Sequence, residues 1–134
     1  MCVAQNIRIV ARTGSLNETR TVSASSRIVE VYDSETVDIP PTFPGGNSAL
    51  VRYINSSRQY PAEAYSKGIH GRVLCSFVVQ PDGSISHINV IKSVEPTLDR
   101  EAVRIIDEMP PWEAGSIDGI PVPVYYMLPI AFRL

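Results

Sequence analysis

GRVLCSFVVQPDGSISHINVIK, residues 71–92, alternates, turns and alternates again. Val73, Cys75, Phe77 and Val79 recur at every second position, so a β-strand would set all four on one face. Pro81-Asp82-Gly83-Ser84 interrupts the run. An Asp-Gly pair at such a break is a hairpin signal, because glycine accepts the positive φ of a tight turn. ISHINVIK then returns, with Ile88 and Val90 directed at the same core and Ile85 at its start. Two strands alone are marginal in water, so other elements must cover this apolar face.

The covering elements lie on either side. EPTLDREAVRIIDEMP (95–110) puts Leu98, Ala102, Ile105 or Ile106, and Met109 at helical spacing. Thr97 is its expected cap, and Pro110-Pro111 ends it. Upstream, Asn47 or Ser48 is placed to cap a helix bearing Leu50, Val51 and Ile54, with Tyr53 beside them. Pro61 opens a second, short helix carrying Ala62, Ala64 and Tyr65, which stops at Gly68. IPVPVYYMLPIAFRL (120–134) reads as one long final strand. The order helix, helix, strand, strand, helix, strand predicts an α+β domain, a small antiparallel three-stranded sheet with helices on one face.

Ahead of this domain, NIRIVAR and RIVEVYD alternate apolar and polar residues and suggest short strands of an N-terminal extension. Between them, residues 13–26 are rich in Ser and Thr and read as a loop or mobile linker. VDIPPTFPGG (37–46), with three prolines and two glycines, breaks regular structure. The expected division is therefore an extension over 1–42 and a domain over 43–134.

Composition narrows the function classes. The chain has 134 residues, the length of one domain, and is 44% hydrophobic. Twelve Lys and Arg face 14 Asp and Glu, a formal net charge of -2, which offers no basic footprint for nucleic acid. No apolar run approaches the ~18 residues of a membrane span. The N-terminus lacks the charged start and apolar core of a signal peptide. Cys2 fits either the start of a lipid-anchored chain with Met1 added or an incidental terminal cysteine. Cys75 reads as a small core hydrophobe, and two cysteines so placed form neither a disulfide framework nor a CxxC metal pattern.

No catalytic constellation emerges. His70 and His87 are candidate cross-strand neighbours, but no Cys or carboxylate stands at ligand spacing, and solvated histidines are the plainer reading. Asp99, Glu101, Asp107 and Glu108 are expected on a wet helix face, and glycines 45, 46, 68 and 71 form no phosphate loop. Serines are plentiful without a nucleophile elbow. These residues predict no enzyme, no cofactor and no metal. Trp112 is expected to pack the end of the preceding helix onto the sheet.

The final strand carries more information. Pro123 and Pro129 are six residues apart, and backbone N–H groups along a strand alternate between its two flanks. Both missing donors therefore fall on one flank, which cannot be a fully bonded internal ladder. The strand is expected at an edge, with Tyr125, Met127 and Ala131 still offering N–H donors on that flank. Such an edge invites another strand; equally, the prolines serve only to guard against aggregation.

Residues from about Phe43 to Leu134 resemble the C-terminal domain of the TonB family of energy transducers. QYP (59–61) resembles the family's Tyr-Pro signature, and KG (67–68) with GRV (71–73) its G-x-x-G-x-V pattern. PDGSI (81–85) is similar to its hairpin turn, LDREAV (98–103) to its second helix, and Trp112 to the aromatic before the last strand. LPIAFRL closes as the family's end does, and FPGG (43–46) is similar to a subgroup feature. The chain departs from the pattern at Ala114, where the family often has Pro, and it contains no membrane anchor or Pro-rich linker.

The resemblance implies a periplasmic module that grips an extended peptide, the TonB box of an outer-membrane transporter, as a strand added beside its own last strand. The implied partner-binding residues are Gln59, Tyr60, Pro61, Val124, Tyr125, Tyr126, Met127 and Leu128. It also implies attachment to the inner membrane, or by a lipid, through a segment outside this stretch. The competing reading is a self-associating structural or sensor-tail domain, a homodimer through edge strands.

Overall fold

The computed structural model describes residues 7–10, 19–21 and 29–134. Cys2 and most of the Ser/Thr-rich stretch lie outside the described residues. Three strands come from the N-terminal part: β1 (Ile7–Val10), β2 (Thr19–Thr21) and β3 (Val29–Asp33). Helices α1 (Asn47–Ser57) and α2 (Ala62–Ser66) precede the hairpin of β4 (Gly71–Val79) and β5 (Ile85–Lys92). Helix α3 (Pro96–Asp107) follows, then the short strands β6 (Ser116–Ile117) and β7 (Ile120–Pro121), and finally β8 (Val124–Phe132).

The chain is α+β. Its main sheet runs β2-β1-β3-β8-β4-β5, which extends the expected three strands. β4 is antiparallel to both β5 and β8, and these three form the expected antiparallel unit. The strands of the extension join it on the far flank of β8, so β8 is an interior strand and not the edge expected from its prolines: Pro123 lacks only an N–H, and its carbonyl still accepts the Tyr32 N–H. β3 runs parallel to β8 and to β1, and β2 is antiparallel to β1. Thr19–Thr21, expected in a linker, is thus a paired strand.

Period-two alternation decides which residues are buried. Val73, Cys75, Phe77 and Val79 of β4 and Leu128, Ile130 and Phe132 of β8 meet Leu98, Ala102, Ile105 and Ile106 of α3 in one core. These are the hairpin and helix stripes read from the sequence. On the other face Val78 of β4 and Val31 of β3 are fully buried, with Tyr125 of β8 packed against them.

Local chemistry corrected several boundaries. α3 is capped by Glu95 instead of Thr97: the Glu95 carboxylate accepts the Thr97 N–H at 2.9 Å and the Leu98 N–H at 3.2 Å, with proline in the first turn. A carboxylate there also complements the helix dipole. The Thr97 side chain's hydrogen bond holds Glu95 below its ordinary pKa. α1 begins after Gly46, at φ 87, with no side-chain cap from Asn47 or Ser48. The Gly46 N–H closes onto the Phe43 carbonyl at 2.8 Å, and this turn seats Phe43 in the core. Pro61 is the cap of α2 and not its first residue.

The final segment is two strands and not one. Asp118-Gly119, both at positive φ, turn β6 back into β7. The Val122 N–H then bonds the Gly115 carbonyl at 3.0 Å before β8 starts. The proline-rich stretch before α1 is tied to this region by the bridges Ile39↔Ser116 and Thr42↔Glu113.

Candidate functional site: a partly open strand flank

The direction of each backbone group along β8 follows from two observed bonds. Tyr32 of β3 donates its N–H to the Pro123 carbonyl at 2.9 Å, and Arg58 donates Nη1 to the Ala131 carbonyl at 3.1 Å. Both carbonyls therefore point away from β4. Alternation then turns the backbone groups of residues 125, 127 and 129 outward as well. Pro129, like Pro123, falls on the outer flank, where its missing donor breaks no bond to β4.

That flank is occupied unevenly. β3 covers its beginning through the pairs Tyr32↔Val124 and Asp33↔Tyr125. The Asp33 carboxylate and carbonyl then accept the N–H groups of Glu35 and Thr36, both at 2.9 Å, and the chain turns away. Among the described residues no strand pairs with the outer flank beyond Tyr125. Met127 there is 51% exposed. At the far end Arg58 caps the Ala131 carbonyl. The stretch between presents the Met127 N–H and carbonyl, the Pro129 carbonyl and the Ala131 N–H.

The Gln59-Tyr60-Pro61 segment stands beside the Phe132 end of β8. Tyr60 is half-buried, its ring 5.7 Å from that of Phe132 and 5.6 Å from that of Tyr65. Its hydroxyl donates to the Ile69 carbonyl, closing the loop around α2. Gln59 donates its backbone N–H to Glu101 Oε2 at 2.7 Å. Glu101 is buried and not on the expected wet face, because Arg104 reaches it through Nε at 2.8 Å and Nη2 at 2.7 Å. Nη2 also holds the Ser57 carbonyl at 2.7 Å. Burial alone would raise the Glu101 pKa; the Arg104 hydrogen bonds, the Gln59 N–H and the Arg104 charge outweigh it and hold it below 4.5. This network fixes the link between α1 and α2.

The predicted residues thus play different parts. Val124, Tyr125, Tyr126, Met127 and Leu128 lie on one strand, with Gln59, Tyr60 and Pro61 near its opposite end. Val124 and Leu128 are buried. The Tyr126 ring packs 5.2 Å from Trp112 and 5.7 Å from Phe77. Tyr125 leans on Val31 and Val78. Trp112 sits where expected, among Phe43, Phe77 and Tyr126, and its buried indole N–H has no hydrogen-bond partner among the described residues. Sequence reasoning missed Arg58 and Tyr32: nothing local says which distant carbonyl an arginine or a strand N–H will meet.

The other candidates are built differently. His70 Nδ1 lies 3.2 Å from the Gly68 carbonyl, and His87 Nδ1 lies 2.8 Å from Ser86 Oγ within an irregular stretch of β5. Burial, aided by Asp99, pushes the Cys75 thiol up to about 12, so it stays protonated in the core. Among the described residues no group of three or more His, Cys, Asp or Glu gathers at metal-binding geometry, and no helix is long and apolar enough to cross a membrane.

Comparison with known proteins places this geometry in a family. Two curated Protein TonB sequences, from Helicobacter pylori strains J99 and 26695, are each 48% identical over 40 residues. That stretch covers 30% of this chain and 14% of each relative's length. Two solution NMR structures of the H. pylori TonB-CTD align at TM-score 0.50. The first is 31% identical over 63% of this chain and 77% of its own. The second is 28% identical over 64% of this chain and 90% of its own. The family model described as Gram-negative bacterial TonB protein C-terminal matches residues 56–134, more than half of the chain, and the protein belongs to that family.

Proposed function

We propose that this protein is a non-enzymatic periplasmic binding module of a TonB-like energy transduction system. It captures the TonB box of an outer-membrane transporter as a strand added to the outer flank of β8. The protein is held at the inner membrane or anchored by a lipid. The observation that carries the reading is the outward set of the Met127 N–H and carbonyl, the Pro129 carbonyl and the Ala131 N–H, beside which no described strand lies. Backbone bonds along it would supply affinity, and the side chains of Tyr125 and Met127 on the same face selectivity. Ordering a flexible peptide opposes this gain, so modest affinity is expected.

Met127→Pro tests the reading. It deletes one outward donor, as Pro129 already does two residues on. Titration calorimetry with a TonB-box peptide should show binding to the natural chain and about a fivefold loss in the variant, the ~1 kcal/mol of one lost bond. Unchanged affinity with native circular dichroism would remove the mechanism. Self-association through the same flank would instead appear as mass rising with concentration in analytical ultracentrifugation, and as peptide binding that weakens as the chain dimerises.

A further inference from the structure

We infer that β3 is a tethered competitor for the β8 flank: the protein's own strand holds the start of the edge and must leave before a peptide can occupy its full length. The inference rests on strand addition at β8 as the mode of binding. β3 is hydrogen-bonded to β8 as an incoming strand would be, with the Tyr32 N–H on the Pro123 carbonyl at 2.9 Å. Alternation directs the Tyr125 N–H back at β3. The pairing covers only Tyr32↔Val124 and Asp33↔Tyr125.

The asymmetry of the anchoring makes β3 displaceable. The following stretch is fastened independently of β3: the Asp38 and Ile39 N–H groups bond the Ser116 carbonyl, and the Ser116 N–H returns to the Ile39 carbonyl at 2.9 Å. The chain can therefore peel back to about Asp33 without releasing Phe43 or α1. What resists peeling is mainly Val31, fully buried against Val78 and Tyr125. A short pairing plus one buried valine is enough to bias an edge and too little to seal it. Because the competitor is tethered, its effective concentration is high and its occupancy does not depend on dilution.

The test compares four forms of the full chain in a Cys2→Ser background, using one fluorescein-labelled TonB-box peptide. Tyr32→Pro removes the N–H that β3 gives to Pro123, and Val31→Asp makes its buried contact unfavourable. Asp33→Cys with Tyr125→Cys joins register partners by a disulfide and holds β3 in place. Apparent affinity falls in proportion to the fraction of open edge, so both releasing variants should bind about tenfold tighter than the parent if β3 is docked about nine-tenths of the time. The oxidised cross-linked form should bind at least about tenfold more weakly than the same protein after reduction. Equal affinities across all four forms would overturn the competition and leave strand addition standing. Absence of binding in every form, with native circular dichroism, would sink the strand-addition reading itself and the competition with it.

Discussion

Gly83 shows how a single residue sets the packing of a hairpin against the rest of the molecule. Its φ is +88, and a Cβ built there would lie 2.1 Å from the Trp112 carbonyl oxygen. The Trp112 N–H in turn bonds the Gly83 carbonyl at 2.8 Å, so the β4–β5 turn is locked onto the segment that places the indole. Gly83→Ala should cost roughly 2–4 kcal/mol, combining positive-φ strain with a displaced backbone contact, and thermal unfolding would measure it. Glu101 is the second such residue. Its charged form is favoured in the fold, so its contribution is present above the ordinary value of 4.5 and is lost as pH falls through the lower folded value. Glu101→Gln should cost about 1–2 kcal/mol at neutral pH, since Arg104 keeps Glu108 and partial access to water. Denaturant midpoints taken from pH 7 down to acid should converge for the two proteins; a gap that persists below the folded value would contradict this. Glu101 was misread from sequence because helical spacing cannot show that Arg104 and the Gln59 N–H would converge on it from one side. Glu95 was passed over as the cap of α3 because Thr97 stood closer to the apolar stripe.

At the level of elements, the readable parts were those whose pattern repeats locally. The β4–β5 hairpin and α3 were legible because alternation and a helical stripe each persist over several residues. The β6–β7 hairpin was missed, although Asp118-Gly119 between Ile117 and Ile120 is a two-residue turn signal, and the break between β7 and β8 went unread within 120–134. The parity of Pro123 and Pro129 was legible and fixed the outward flank, but the edge position inferred from it was wrong, because β3 pairs with the start of that flank. The partner on that flank was not legible, because β3 meets β8 across some 90 residues of chain, and no local signal specifies such a pairing. Parity itself is testable through stability. Met127 directs its N–H outward and Leu128 directs its own at β4, in the pair Cys75↔Leu128. Met127→Pro should therefore cost under about 1 kcal/mol, and Leu128→Pro about 3 kcal/mol or more, by chemical denaturation. Equal costs would mean that the assigned flanks are wrong.

Over the whole molecule, the strands of the sheet differ in how well they could template a further strand. β5 ends the sheet on one side, and its irregularities, with His87 at φ 55 and register shifts against β4, make a poor template for a further strand. β8 lies inside the sheet and is regular: nine consecutive residues pair in register with β4. Its outer flank is held at one end by β3, capped at the other by Arg58, and unpaired between them among the described residues. The core beneath is an aromatic cluster of Phe43, Phe77, Trp112 and Tyr126, which stiffens the strand from behind without reaching the open flank. Past Tyr125 the strand is paired on one side only among the described residues, and a rigid stretch of that kind is what strand addition requires. The direct measurement is amide hydrogen exchange by NMR on the uniformly labelled chain, with and without a saturating TonB-box peptide. The account predicts that the Met127 and Ala131 amides exchange fast in the free protein and become strongly protected on binding, while the Leu128 and Ile130 amides, already bonded to β4, change little. Protection appearing elsewhere, with Met127 and Ala131 still exchanging fast in the saturated complex, would contradict it.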